Sequence, residues 1–255
     1  MRVVNRMAKP FGFFLVSHRQ ELLRRRRGVD LVAQLHDVYV CELFPHLPQT
    51  PRRLELLRGL LGTPVSEAMH LLHWLADAPE GDICEFGVAQ GATSVLMADA
   101  IQEGERDLWL YDSFSGLPPP TPEDELIDDI FDLGSMDRYA GRMSSPRALV
   151  DSKLAELTFP SERLHVVEGF LNIEETRLPD KIAFAYIDFD LYQPILTALE
   201  LIDERLVEKG RIMIDDYGFF SSGVEKAVKE FTSGRPRYSI HLPPAYAGHF
   251  CVLTT

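Results

Sequence analysis

Cysteine is scarce and positive charge is in short supply. Three cysteines occur in 255 residues, Cys41, Cys84 and Cys251. They lie far apart with no C-x-x-C pair, which argues against a zinc site or a disulfide framework. Cys84 and Cys251 fall in strand-like runs, where small buried side chains are expected, and reduced cytoplasm is the expected compartment. Lys and Arg number 26 against 39 Asp and Glu, a formal net charge of −13. A phosphate backbone demands the opposite balance, so nucleic acid is excluded as a partner. No apolar run approaches the roughly 20 residues of a membrane span, so no membrane association is expected. The short apolar stretch 11–16 is too brief for a secretion signal and lacks a small-residue cleavage site after it. The four arginines at 24–27 read as a solvated helix face. Internal repeats and low-complexity tracts are also missing.

What is present is the composition of a packed α/β protein, 45% hydrophobic and 25% charged, able to bury a core without covalent staples. Residues 1–63 read as a helix-rich extension. Leu31, Leu35 and Val38 recur at helical spacing, as do Leu54, Leu57, Leu60 and Leu61, with Pro45, Pro48 and Pro51 as breaks. Such an extension packs on the main domain, covers its cleft or joins a dimer, and its apolar helices favour a homo-oligomer. From residue 64 onward the pattern alternates. Helix 66–78 precedes strand 82–87, helix 92–102 and strand 107–112. Helix 145–157 precedes strand 164–168. Strand 182–188 leads to helix 193–206, and strand 211–215 leads to helix 223–232. The chain then closes on two strands, 237–242 and 250–253, with no helix between them. This predicts a mostly parallel sheet with one antiparallel strand inserted. Ordinary dinucleotide-binding folds end on another crossover helix instead. The long acidic stretch 118–143 reads as a functional or mobile loop, a lid over the acceptor.

Four motifs carry chemistry. Glu85-Phe86-Gly87-Val88-Ala89-Gln90-Gly91 ends the first strand and opens a helix. Its glycines let backbone approach a ligand, the helix start offers free N–H groups, and an acid beside the loop suits a cationic group. Asp112, in Tyr111-Asp112-Ser113-Phe114-Ser115-Gly116-Leu117-Pro118, stands at a strand end where a ribose hydroxyl could be bound, in NAD or S-adenosylmethionine alike. Glu168-Gly169-Phe170 could seat an adenine, or Phe170 could pack in the core. The strongest signal is a pair of acidic clusters, Asp188-Phe189-Asp190-Leu191-Tyr192 and Asp215-Asp216-Tyr217-Gly218, each closing an apolar strand. Adjacent strand ends lie roughly 5 Å apart, so Asp188, Asp215 and Asp216 would converge and repel unless a cation intervenes. All-oxygen ligation favours Mg²⁺, with Mn²⁺ or Ca²⁺ as substitutes. Asp188, beside both metal and cofactor, is the candidate proton acceptor, with Asp190 and His249 in reserve; His165 reads as structural. An NAD-dependent oxidoreductase is the rival reading, but it lacks GxGxxG and leaves the aspartates without a task.

In order and spacing these motifs resemble those of the macrocin O-methyltransferase family, over roughly residues 64–232. The resemblance rests on Gly81-Asp82-Ile83-Cys84-Glu85-Phe86-Gly87, Asp112-Ser113-Phe114-Ser115-Gly116-Leu117-Pro118, Asp188-Phe189-Asp190-Leu191-Tyr192 and Ile214-Asp215-Asp216-Tyr217-Gly218. It implies a class I methyltransferase fold, a seven-stranded sheet ending in a β-hairpin, spanning 64–255 with the helical extension 1–63 before it. It implies S-adenosylmethionine as donor, Mg²⁺ as metal and a sugar hydroxyl as a common acceptor, in the manner of antibiotic biosynthesis; a catechol or carboxylate is the alternative. Carried over, Asp188, Asp215 and Asp216 are metal ligands and Asp112 binds ribose. The loop Glu85, Gly87, Val88 and Gly91, continuing into Thr93 and Ser94, holds the methionine end. Ser113, Phe114, Gly169 and Phe170 complete the cofactor-binding set. The chain departs from the family at Ala89-Gln90-Gly91-Ala92, where Trp-Arg-Gly-Gly is usual, and at Gln193-Pro194-Ile195, where Glu-Ser-Thr is usual.

Overall fold

A computed structural model describes residues 30–255; the 11–16 stretch and the arginines at 24–27 lie outside it. Its sheet is built from β1 (Asp82–Phe86), β2 (Leu108–Asp112), β3 (Leu164–Glu168), β4 (Ile182–Ile187), β5 (Leu206–Ile214), β6 (Ser239–His241) and β7 (Cys251–Thr254). The order is β3-β2-β1-β4-β5-β7-β6. The first five strands run parallel, and β7 enters antiparallel between β5 and β6. The closing hairpin therefore does what its sequence predicts.

Seven α-helices accompany it among the described residues: α1 (Leu31–Val38), α2 (Pro51–Arg58), α3 (Val65–Ala76), α4 (Ala92–Ala100), α5 (Arg147–Leu157), α6 (Tyr192–Asp203) and α7 (Ser222–Thr232). Every residue of β4 is buried, as a central parallel strand covered on both faces must be. Its pleat divides the core: Phe184 and Tyr186 face a cluster with Leu71, Leu75, Val95 and Val150, whereas Ala185 and Ile187 face one with Ile195, Leu199, Val224 and Phe231. Helices α3, α4 and α5 thus cover one face, and α6 and α7 the other.

One sequence expectation is corrected. The α6 helix ends at Asp203, and Leu206, expected to be helical, pairs with Ile182 as the first residue of β5. Local propensity could not see that partner strand. The stripe Leu31, Leu35 and Val38 is 37–45% exposed. The extension is anchored by Tyr39, Val40, Leu47 and Leu57, which pack on Ala68, Met69, Leu72 and Leu96 of α3 and α4. Arg53, in α2, adds a 2.7 Å ion pair to Asp99 of α4, and Thr50 caps α2 by accepting from the Arg53 N–H.

The stretch 118–143 is no bare loop. Met136 and Tyr139 pack on Leu191 and Phe220, and Leu126 bridges Ser221. Buried Asp124 ties the segment down: its carboxylate accepts from the Thr121 N–H, the Tyr192 N–H at 2.8 Å and the Ser221 hydroxyl at 2.9 Å. A side chain at Gly223 would collide with that carboxylate. No helix among the described residues is long and apolar enough to cross a membrane.

Candidate active site

The carboxyl ends of β1, β2, β4 and β5 open on one side, where crevices of α/β sheets form. Backbone geometry there is unusual. Ala89, Phe114, Asp190 and Asp216 all hold positive φ, between +45° and +62°, and strain of this kind concentrates at functional sites. Gly87 is required: its φ is +93°, and a Cβ would overlap the Asp188 carbonyl. The turn after β1 therefore lies directly against the end of β4. Gly91 starts α4 at φ +73°.

On the β1 side the acids are matched with donors. Glu85 is fully buried, and its two oxygens accept from the hydroxyls of Thr93 and Ser94. Burial, opposed by those bonds, pushes its carboxyl up to about 8. Glu85, Thr93 and Ser94, expected around the cofactor, turn their polar ends on one another and brace the start of α4. Asp112 accepts from the N–H groups of Val88 at 2.7 Å, Ala89 at 3.0 Å and Phe114 at 2.6 Å, so it joins the loops after β1 and β2. The Ser113 hydroxyl donates to the Gly116 carbonyl within its own turn, while Phe114 packs against the core. Gly169 is open, with φ +132°. Phe170 stands 59% exposed, which removes the core-packing account of it.

At the ends of β4 and β5 the acids are matched mainly with each other. Asp188, Asp190 and Asp216 are half-buried, and one carboxylate oxygen of each lies within 4.8 Å of the others. Burial first, then the neighbouring charges of Asp215 and Asp216, pushes Asp188 well above the carboxylate range. Burial and Asp188 push Asp190 up to about 8, and Asp216 rises through burial, Asp215 and Asp190. The grouping thus differs by one member from the expected Asp188, Asp215 and Asp216. Asp215 turns inward: it accepts from the Tyr186 hydroxyl at 2.7 Å and, through its other oxygen, from the Asp216 N–H at 2.8 Å.

Behind Asp215 stands Glu67 of α3, 1% exposed, in hydrogen-bonding contact with it. Burial and the charge of Asp215 push Glu67 well above its ordinary range. Sequence reasoning missed Glu67, although it lies four residues before the fully buried Leu71 and so on the inner stripe of its helix. His249 is exposed, and its ring stacks on Phe219 at 4.7 Å; its carbonyl accepts from the Tyr217 N–H at 2.7 Å, next to Asp216. His165 pairs with Asp107 at 2.8 Å and stacks on Trp109, a structural role.

Three half-buried carboxylates repel unless protonated or bound to a cation, and an all-oxygen set is suited to a hard divalent ion. The residues present therefore fit a metal, and the glycine turn beside them fits a small-molecule cofactor. Sheet order, closing hairpin and glycine turn together define a class I methyltransferase fold. The chain belongs to the macrocin-O-methyltransferase (TylF) family, whose model matches residues 66–241. Among relatives, a Streptomyces olivaceus 8-demethyl-8-(2,3-dimethoxy-alpha-L-rhamnosyl)-tetracenomycin-C 4'-O-methyltransferase is 27% identical over 173 residues, 66% of this chain and 63% of its own. The mycinamicin III 3''-O-methyltransferase of Micromonospora griseorubida is 25% identical over 147 residues, 56% of this chain and 58% of its own. The match thus spans less than two thirds of either relative's length. In fold the chain is similar to the O-methyltransferase NovP (TM-score 0.61, 19% identity, 75% of this chain and 80% of that one). It is likewise similar to CalS11, a calicheamicin methyltransferase (TM-score 0.55, 21% identity, 88% and 90%).

Proposed function

We propose that the protein is an S-adenosylmethionine-dependent O-methyltransferase that uses a divalent cation, Mg²⁺ first among candidates, to methylate a sugar hydroxyl of a glycosylated small molecule. The observation that carries this reading is the half-buried group Asp188, Asp190 and Asp216, set against the glycine turn through the Gly87–Asp188 contact. Family membership and the sugar O-methyltransferases among its relatives support the acceptor class.

S-adenosylmethionine supplies the electrophilic methyl, and a divalent cation supplies Lewis acidity that lowers the pKa of an acceptor hydroxyl. The chain's own residues do the rest. The glycine turn at Gly87, Val88 and Gly91 lets the backbone come close to the methionine end, Asp112 faces the ribose side and Phe170 covers the adenine. Asp188 would receive the proton of the acceptor hydroxyl. Asp188 and Asp216, common to the expected and the observed acid groups, would hold the cation. The third place falls between Asp190 and Asp215, and Mn²⁺ binding by Asp190→Asn and Asp215→Asn variants decides it.

Residues 64–255 form the catalytic unit in this reading, in the cytoplasm, and the exposed Leu31, Leu35 and Val38 stripe supports self-association through the extension. The deciding experiment is calorimetric titration of S-adenosylmethionine and S-adenosylhomocysteine, with NAD as control, followed by acceptor screening with Mg²⁺ or EDTA. Micromolar binding of the first two and EDTA-sensitive transfer to a glycoside are expected. Binding of NAD alone overturns the reading.

A further inference from the structure

Glu67 is a costly residue to bury, since a carboxylate removed from water needs donors to compensate it. Its Oε1 has no hydrogen-bond partner among the described residues, and its neighbour Asp215 is itself an acid. Position explains what local pairing does not. On one side Glu67 meets Asp215, whose oxygens also receive the Tyr186 hydroxyl and the Asp216 N–H. That last bond holds the backbone of Asp216, a residue at φ +55°, and so helps aim its carboxylate at Asp188 and Asp190.

On the other side Glu67 carries the loop that leads into β7. A Cβ placed on Gly248, whose φ is +141°, would lie 2.5 Å from Glu67 Oε2, so this backbone rests on the carboxyl group. The next residue, His249, accepts from the Tyr217 N–H and stacks on Phe219. Glu67 therefore touches both the acid cluster and the loop flanking it. It sits in the first turn of α3, where the helix dipole favours negative charge.

We infer that Glu67 is a positioning residue that braces Asp215 and the Gly248–His249 backbone together, and so sets how tightly the neighbouring aspartates hold a divalent cation. The inference rests on the proposal that this acid group takes such a cation. Supporting partners of metal ligands typically change metal affinity about 10–100-fold when removed.

The test is Mn²⁺ titration of the full chain followed by electron paramagnetic resonance, with S-adenosylhomocysteine affinity measured alongside. Glu67→Ala is expected to weaken Mn²⁺ binding at least about 10-fold while cofactor affinity stays within twofold. Glu67→Gln, equal in length and still able to hydrogen-bond, is expected to restore binding to within about threefold of the unaltered protein. Gly248→Ala, whose added methyl would fall on the Glu67 carboxyl, is expected to weaken Mn²⁺ binding in the same direction. Equal Mn²⁺ affinity in all three variants overturns the inference while leaving the metal reading intact. Parallel losses of cation and cofactor affinity also overturn it, because they mark a general loss of structure. Failure of the unaltered protein to bind Mn²⁺ overturns the metal reading and this inference with it.

Discussion

Two acid-bearing ends of the same sheet behave in opposite ways. At the end of β1, Glu85 is wholly buried yet complete, with a hydroxyl on each oxygen, and neighbouring Asp112 takes three backbone N–H groups. At the ends of β4 and β5, Asp188, Asp190 and Asp216 gather without such a complement of donors. In sequence both regions are aspartate or glutamate after an apolar strand. The difference lies in what surrounds them: α4 begins beside Glu85 and brings Thr93 and Ser94, whereas the turns after β4 and β5 bring further acids. A carboxylate with its donors in place organises structure, and a group of carboxylates without them requires something from outside.

The comparison breaks most sharply at Asp188. Replacement by Ala is expected to lower turnover by on the order of 1,000-fold, several kcal/mol of lost charge stabilisation, while circular dichroism and melting temperature stay near those of the unaltered chain. Retained turnover would sink the metal-centred scheme.

Glu85 tests the other side. Its carboxyl titrates near 8 in the folded protein against 4.5 ordinarily, so between these values the folded state binds more protons than the unfolded one. Its contribution therefore falls as pH rises through that window, by up to about 1.4 kcal/mol per pH unit. Urea denaturation of Glu85→Gln from pH 5 to 8 in Mg²⁺ is expected to show a shallower decline than the unaltered protein. An identical decline refutes the assignment.

Mg²⁺ itself sharpens the contrast. At 100 times its Kd it should add about 2.7 kcal/mol, raising the melting temperature by roughly 5–10 °C. The Asp188→Ala variant should lose this shift and Glu85→Gln should keep it. A Mg²⁺ shift undiminished in Asp188→Ala would separate the metal from the acid group.

The smallest effect belongs to Phe170. Because it is mostly exposed, Phe170→Ala should leave stability within about 0.5 kcal/mol. Loss of stacking should weaken S-adenosylhomocysteine binding about three- to tenfold. Unchanged affinity by calorimetry would free Phe170 from the adenine.

Much of this was legible in the sequence because alternating apolar strands and amphipathic helices declare themselves locally. The whole of β3 and the helix from Ser222 agree with their patterns to within a residue. Strand ends carrying Gly87, Asp112, Asp188 and Asp215 were legible for the same reason, since a motif at a parallel strand end has one side of the sheet to face. The misses share a physical cause. Leu206 takes its conformation from Ile182 across the sheet, 24 residues away. Spacing along the chain cannot tell how a carboxylate at a strand end turns, so the bond from the Tyr186 hydroxyl to Asp215 was not legible. Glu67 was lost because helical periodicity was read for apolar residues and a lone acid on the inner stripe was passed over.

The anchoring of 118–143 bears on engineering. Asp124 meets Thr121 within its own segment, but its other partners, Tyr192 and Ser221, come from the starts of α6 and α7, and Gly223 leaves the room it occupies. A chimera that exchanges this segment with a relative's to change the acceptor inherits those distant partners as part of the graft. Its natural seams therefore lie in three places along the chain, and a single-insert swap that ignores the 191–192 and 221–223 positions transplants a plug without its socket.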